Sequence, residues 1–105
     1  MKIYLIKEDH TNHYRIGITK QLISKRIKQL QTGCPHKITL VDYYETTDKK
    51  LETMVHGRLK KFQINGEWFD LPLEEVITFK ATCRDTEEQL KYLRKENYFF
   101  QTNKQ

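Results

Sequence analysis

Two runs that alternate like pleated strands stand only six residues apart at the start of the chain, and what lies between them can only turn. Residues 2–7 hold Ile3 and Leu5 against Tyr4 and Ile6, and residues 14–19 are again rich in β-branched and aromatic side chains. The connecting residues 8–13 include Asp9, Thr11 and Asn12, whose short polar side chains bond their own backbone in turns. A β-hairpin is predicted. The period then changes from two to that of a helix. Leu22, Ile23, Ile27 and Leu30 recur at helical spacing with Lys25, Arg26, Lys28 and Gln29 between them, so residues 22–30 read as an amphipathic helix with a basic wet face. Gly33, suited to a left-handed cap, and Pro35, unable to continue the turn, are expected to end it.

Residues 38–44 read as a third strand. Thr46, Thr47 and Asp48 open a helix expected to reach residue 62, with Leu51, Val55, Leu59 and Phe62 as its apolar stripe, and Asn65-Gly66 breaks it. Residues 67–71 are short and extended. Pro72 suits the first turn of a helix over 73–79, and Asp85-Thr86-Glu87-Glu88 carries the start signature of another, with Lys91, Arg94 and Lys95 near its end. The aromatic trio Tyr98, Phe99 and Phe100 either packs back or meets a partner. At 105 residues the chain supports one core. The expected class is α/β of the α+β kind: a small three-stranded antiparallel sheet flanked by helices, with residues 1–71 as the core and 72–105 as a helical extension packed on it.

Charge narrows the range of partners. Lys20, Lys25, Arg26, Lys28 and Lys37 span a stretch without an acid and match the net +5 of the whole chain. A basic face on a small domain suits a polyanion, nucleic acid above all. No apolar run approaches the length of a membrane span, so no membrane partner is expected. Cys34 and Cys83 stand alone, which indicates neither a zinc knuckle nor a disulfide framework and favours the reducing cytoplasm.

Strand parity and helix spacing select the chemical candidates. In residues 14–19, Tyr14, Ile16 and Ile18 share the buried face, leaving Arg15 to look outward beside Gly17, where a missing side chain would let a substrate backbone come close. Glu52 and His56 lie one turn apart on one helix face. A lone carboxylate with open coordination positions suits Mg²⁺, which keeps several waters. The pair also suits a local contact at the edge of the core. Arg26 offers a phosphate its fixed fork of donors. Trp68 and Phe69 are expected to wall the site, with Glu67 as the polar exception.

In order along the chain, Ile3-Tyr4, Arg15-Ile16-Gly17-Ile18-Thr19, the segment from Arg26 through Gln31-Thr32-Gly33, Glu52 with His56, and Gly66-Glu67-Trp68-Phe69 resemble the blocks of the GIY-YIG nuclease superfamily, in its short phage and bacterial branch. The resemblance implies hydrolysis of DNA phosphodiesters with one Mg²⁺ or Mn²⁺ on Glu52, Tyr4 orienting or deprotonating the attacking water, and Arg26 clamping the phosphate. RNA is the other substrate of the same chemistry. Arg15 stands where the superfamily has its second tyrosine, and a guanidinium cannot act as a base near neutral pH, which moves that role to Tyr4 or His56. Lys20, Lys25, Lys28 and Lys37 are the expected nucleic-acid contacts, with Gly17, Glu67 and Trp68 in support. Targeting would come from a homodimer or a partner protein. The rival expectation is a module that binds nucleic acid, or blocks another protein, without cutting.

Overall fold

A computed structural model describes the backbone of residues 1–103 and the side chains of residues 1–95. Strands β1 (Lys2–Glu8) and β2 (His13–Thr19) form the expected hairpin, in a register that sets Tyr4 opposite Gly17 and Ile6 opposite Arg15. β3 (Ile38–Glu45) pairs antiparallel with the other edge of β1. Two short strands, β4 (Gln63–Asn65) and β5 (Trp68–Asp70), complete a sheet of order β3-β1-β2-β5-β4. The antiparallel sheet flanked by helices is as expected, but it has five strands rather than three. Gln63–Asn65 is fully exposed and too short to alternate, so it carries no strand pattern. It becomes a strand because Gly66, at φ 54°, turns the chain through the left-handed region and folds it onto β5.

Helices cover both faces. On one side Ile3, Leu5, Tyr14 and Ile16 pack against Leu51 and Val55 of α2 (Lys50–Arg58), against Leu59 that caps it, and against Phe79 and Cys83 of α4 (Phe79–Asn103). On the other, Tyr4, Ile6 and Ile38 meet Ile27, Leu30 and Cys34, brought by α1 (Ile23–Thr32) and the residues after it. β1 is therefore apolar on both faces, which explains its nearly unbroken hydrophobic run. A short α3 (Leu73–Ile77) links the sheet to α4.

Helix ends differ from the sequence reading in boundary and in cap geometry. α2 stops at Arg58 and gives way to a single 3₁₀ turn at Lys60–Phe62, rather than running to residue 62. Gly33 caps α1 at φ −96°, outside the left-handed region, with its N–H donating to the Leu30 carbonyl. Asp85 starts no helix. It lies inside α4, because Phe79, Cys83, Thr86 and Leu90 form a continuous buried stripe that begins six residues earlier. Burial of that face outweighs a capping signature of about 1 kcal/mol.

Polar bonds then hold α4 in place. Tyr44 and Thr46 both donate their hydroxyls to Glu87, at 2.7 and 2.6 Å, and Arg94 pairs with Asp48 at 2.6 Å. Asp48 also accepts the Lys50 N–H and so caps α2. Burial, reinforced by the bond to Glu87, pushes the Tyr44 phenol up to about 12. Tyr98, Phe99 and Phe100 continue α4, but their side chains lie outside the described ones.

Candidate active site

The site forms where β2 runs out of neighbours. β5 pairs with β2 only from His13 to Arg15, and the last bond across is from the Ile16 N–H to the Glu67 carbonyl at 3.0 Å. Beyond it β2 has an unpaired edge, and α2 supplies side chains to it. His56 Nε2 donates to the Ile16 carbonyl at 2.8 Å, while the Ile18 N–H bonds to Glu52, one helical turn away. Leu51 and Val55, buried in the core, fix α2 in the position that makes both bonds. The two candidates chosen for their spacing do share one face and reach one place.

Because a carbonyl only accepts, His56 Nε2 is the donor of this bond. The ring also stands edge-on to Phe69, with centroids 5.0 Å apart. Glu52 is half-buried. Burial is the main cause that raises its pKa, the nearby Glu67 carboxylate raises it further, and His56, Arg15 and the Ile18 N–H act in the opposite direction. Two acids therefore face the same small volume.

Glu67 is held there by Arg15, whose Nη2 lies 2.9 Å from Glu67 Oε2. Parity placed Arg15 correctly: Tyr14 and Ile16 are buried, and Arg15 sits on the opposite face with its guanidinium 5.9 Å from the Trp68 ring centroid. This ion pair joins residues 52 positions apart. The sequence signal for it was the single acid ahead of Trp68-Phe69, which marked Glu67 as an exception without naming its partner.

Tyr4 is buried directly opposite Gly17. A Cβ at Gly17 would collide with the Tyr4 hydroxyl and come within 2.9 Å of Glu67 Oε1. The space above Gly17 is thus filled by the protein's own phenol and carboxylate, not held open for a substrate backbone. The Tyr4 hydroxyl is closed to solvent and has no hydrogen-bond partner among the described residues. Leaving such a group unpaired costs about 1–3 kcal/mol.

Arg26 is not drawn into this cluster. Its guanidinium bonds to Gln29 Oε1 on its own helix at 3.4 Å, and it forms no ion pair among the described residues. It stands one turn before Gln29 and Leu30, which border a cavity between α1 and the sheet. Lys20, Lys25, Lys28 and Lys37 are all exposed along α1 and its flanks. No three His, Cys, Asp or Glu groups among the described residues are grouped to hold a metal. A single half-buried carboxylate beside a second acid still fits Mg²⁺, whose other positions are commonly filled by water and phosphate. Burial pushes the Cys83 thiol up to about 12, which removes it as a nucleophile.

Residues 1–84 match the T5orf172 domain. The chain belongs to the T5orf172 family. The T5orf172 domain is related to GIY-YIG and nuclease-like folds, and points to nuclease or DNA-binding chemistry. Its match extends into α4, further than the sequence resemblance, and takes in Phe79 and Cys83, which belong to the same core as β1 and β2. No curated protein and no solved structure matches the chain. No described helix is long and apolar enough to cross a membrane.

Proposed function

We propose that this T5orf172 domain is a GIY-YIG-type endonuclease that hydrolyses DNA phosphodiesters with one divalent cation, Mg²⁺ or Mn²⁺. The observation that supports it most is the gathering of Tyr4, Arg15, Glu52, His56 and Glu67, from four separate elements, around the unpaired edge of β2. Glu52 would hold the cation. When bound, a magnesium ion neutralises the phosphate and stabilises the leaving oxygen. Arg15, fixed by Glu67, keeps a permanent positive charge beside the site and takes no part as a base. Tyr4 would orient the attacking water, the role that the superfamily resemblance implies. His56, through Nε2, fastens α2 to β2 and so sets where Glu52 stands. Arg26 and the four exposed lysines would hold the flanking phosphates, contacts that carry no base information. Target choice would then come from a partner protein or a second copy.

The test is nicking of supercoiled plasmid in Mg²⁺ or Mn²⁺, wild type against Glu52→Ala. Removing one such preorganised charge should lower the rate by about 10²–10³. Equal nicking by both proteins, or none by either, overturns the proposal.

A second reading, a binding module without catalysis, is favoured by one observation: the Tyr4 hydroxyl is closed to solvent. It predicts DNA affinity that needs no divalent cation and that Glu52→Ala leaves unchanged or improves, since an acid has been removed from the contact face.

A further inference from the structure

A cavity of about 260 Å³ lies between α1 and the sheet, and the mechanism above does not use it. It shares one residue with the Glu52 cluster, Arg15. Its floor is apolar, made by Ile6, Leu30 and Ile38, while Trp68 and Arg15 form a wall and Gln29 a polar edge. No acid lines it. Arg15 Nε is itself closed to solvent, without an acceptor among the described residues, and Nη2 of the same side chain is bonded to Glu67.

We infer that this cavity accepts one nucleobase of the bound strand, extruded beside the phosphate that the Glu52 cluster addresses. The inference rests on the proposed function. A planar heteroaromatic ring matches the lining: its faces suit the apolar floor and the Trp68 wall, and its ring nitrogens or exocyclic groups can pair with Gln29 at the edge. A small anion would meet an apolar floor, and a cation would meet Arg15. Arg26, one turn ahead of Gln29 on the basic face of α1, is placed to receive the backbone of the same nucleotide.

The inference is tested by fluorescence anisotropy without divalent cation, using a labelled single-stranded DNA and an abasic strand of equal length at one salt concentration. The wild type should bind the base-bearing strand about tenfold more tightly, the effect of one well-stacked base. Cys34→Met, which fills the cavity from its wall, should reduce that ratio. Gln29→Ala, on the exposed side of α1 and harmless to folding, should reduce it too. Equal affinity of the wild type for both strands overturns the base pocket, as does a ratio that neither substitution moves. If both strands bind equally while plasmid nicking still depends on Glu52, only the pocket falls. If neither strand binds, the pocket falls, while the nuclease reading still stands or falls on plasmid nicking that depends on Glu52.

Discussion

Gly17 is the tightest position in the site. Replacing it with alanine drives a methyl into the Tyr4 hydroxyl and ring, so Gly17→Ala should destabilise the protein by about 1–3 kcal/mol in urea unfolding. Adding Tyr4→Phe, which deletes the colliding oxygen, should recover part of that loss; simple additivity of the two would show that they do not meet. Tyr4→Phe alone should cost no stability, because it removes a buried hydroxyl with no partner, yet it should slow cleavage. Glu52 makes the opposite trade. Its pKa is raised on folding, mainly by burial and then by Glu67, so the folded protein binds more protons than the unfolded chain just above the ordinary carboxylate range. Stability is therefore lost as pH rises through the folded value. Glu52→Gln should raise Tm at neutral pH while lowering the cleavage rate by about 10²–10³, and the gain should shrink toward about pH 4, where the wild-type carboxyl is itself protonated. A fall in Tm at neutral pH would count against the strained-acid account.

At the scale of elements, the last helix offers the sharpest disagreement between local signature and packing. Asp85-Thr86-Glu87-Glu88 has the residues of a helix start, yet Thr86 is fully buried and returns its hydroxyl to the Thr82 carbonyl, and Glu87 takes the hydroxyls of Tyr44 and Thr46. Asp85→Pro distinguishes the two. Proline at the first position of a new helix is nearly neutral, whereas inside a continuous one it costs about 3 kcal/mol or more. The larger loss, read by chemical unfolding, is expected. The hairpin β1–β2 and helix α1 were legible because their apolar periods are long enough to count. β4 was not, since three exposed residues hold no period and their pairing depends on Gly66.

For the whole molecule, the exposed Lys20, Lys25, Lys28 and Lys37 lie with Arg26 along α1 and its flanks, apart from the two acids Glu52 and Glu67 of the cluster. Affinity for duplex DNA should fall linearly with salt on logarithmic axes, and each of these lysines that contacts a phosphate should contribute about 1 to the slope. Neutralising all four should flatten the dependence; an unchanged slope would place the nucleic acid elsewhere. Periodicity, charge order and spacing by themselves determined the hairpin, the basic helix, the setting of Arg15 on the face opposite Tyr14 and Ile16, and the shared face of Glu52 and His56, because each depends only on neighbours within a turn or a strand. Tertiary structure alone decided that Arg15 holds Glu67, that Tyr4 rather than a ligand fills the space over Gly17, and that Arg26 stays on its own helix. Those outcomes depend on which strand edge is left unpaired and what crosses it, and no local pattern encodes a meeting between residues 52 positions apart.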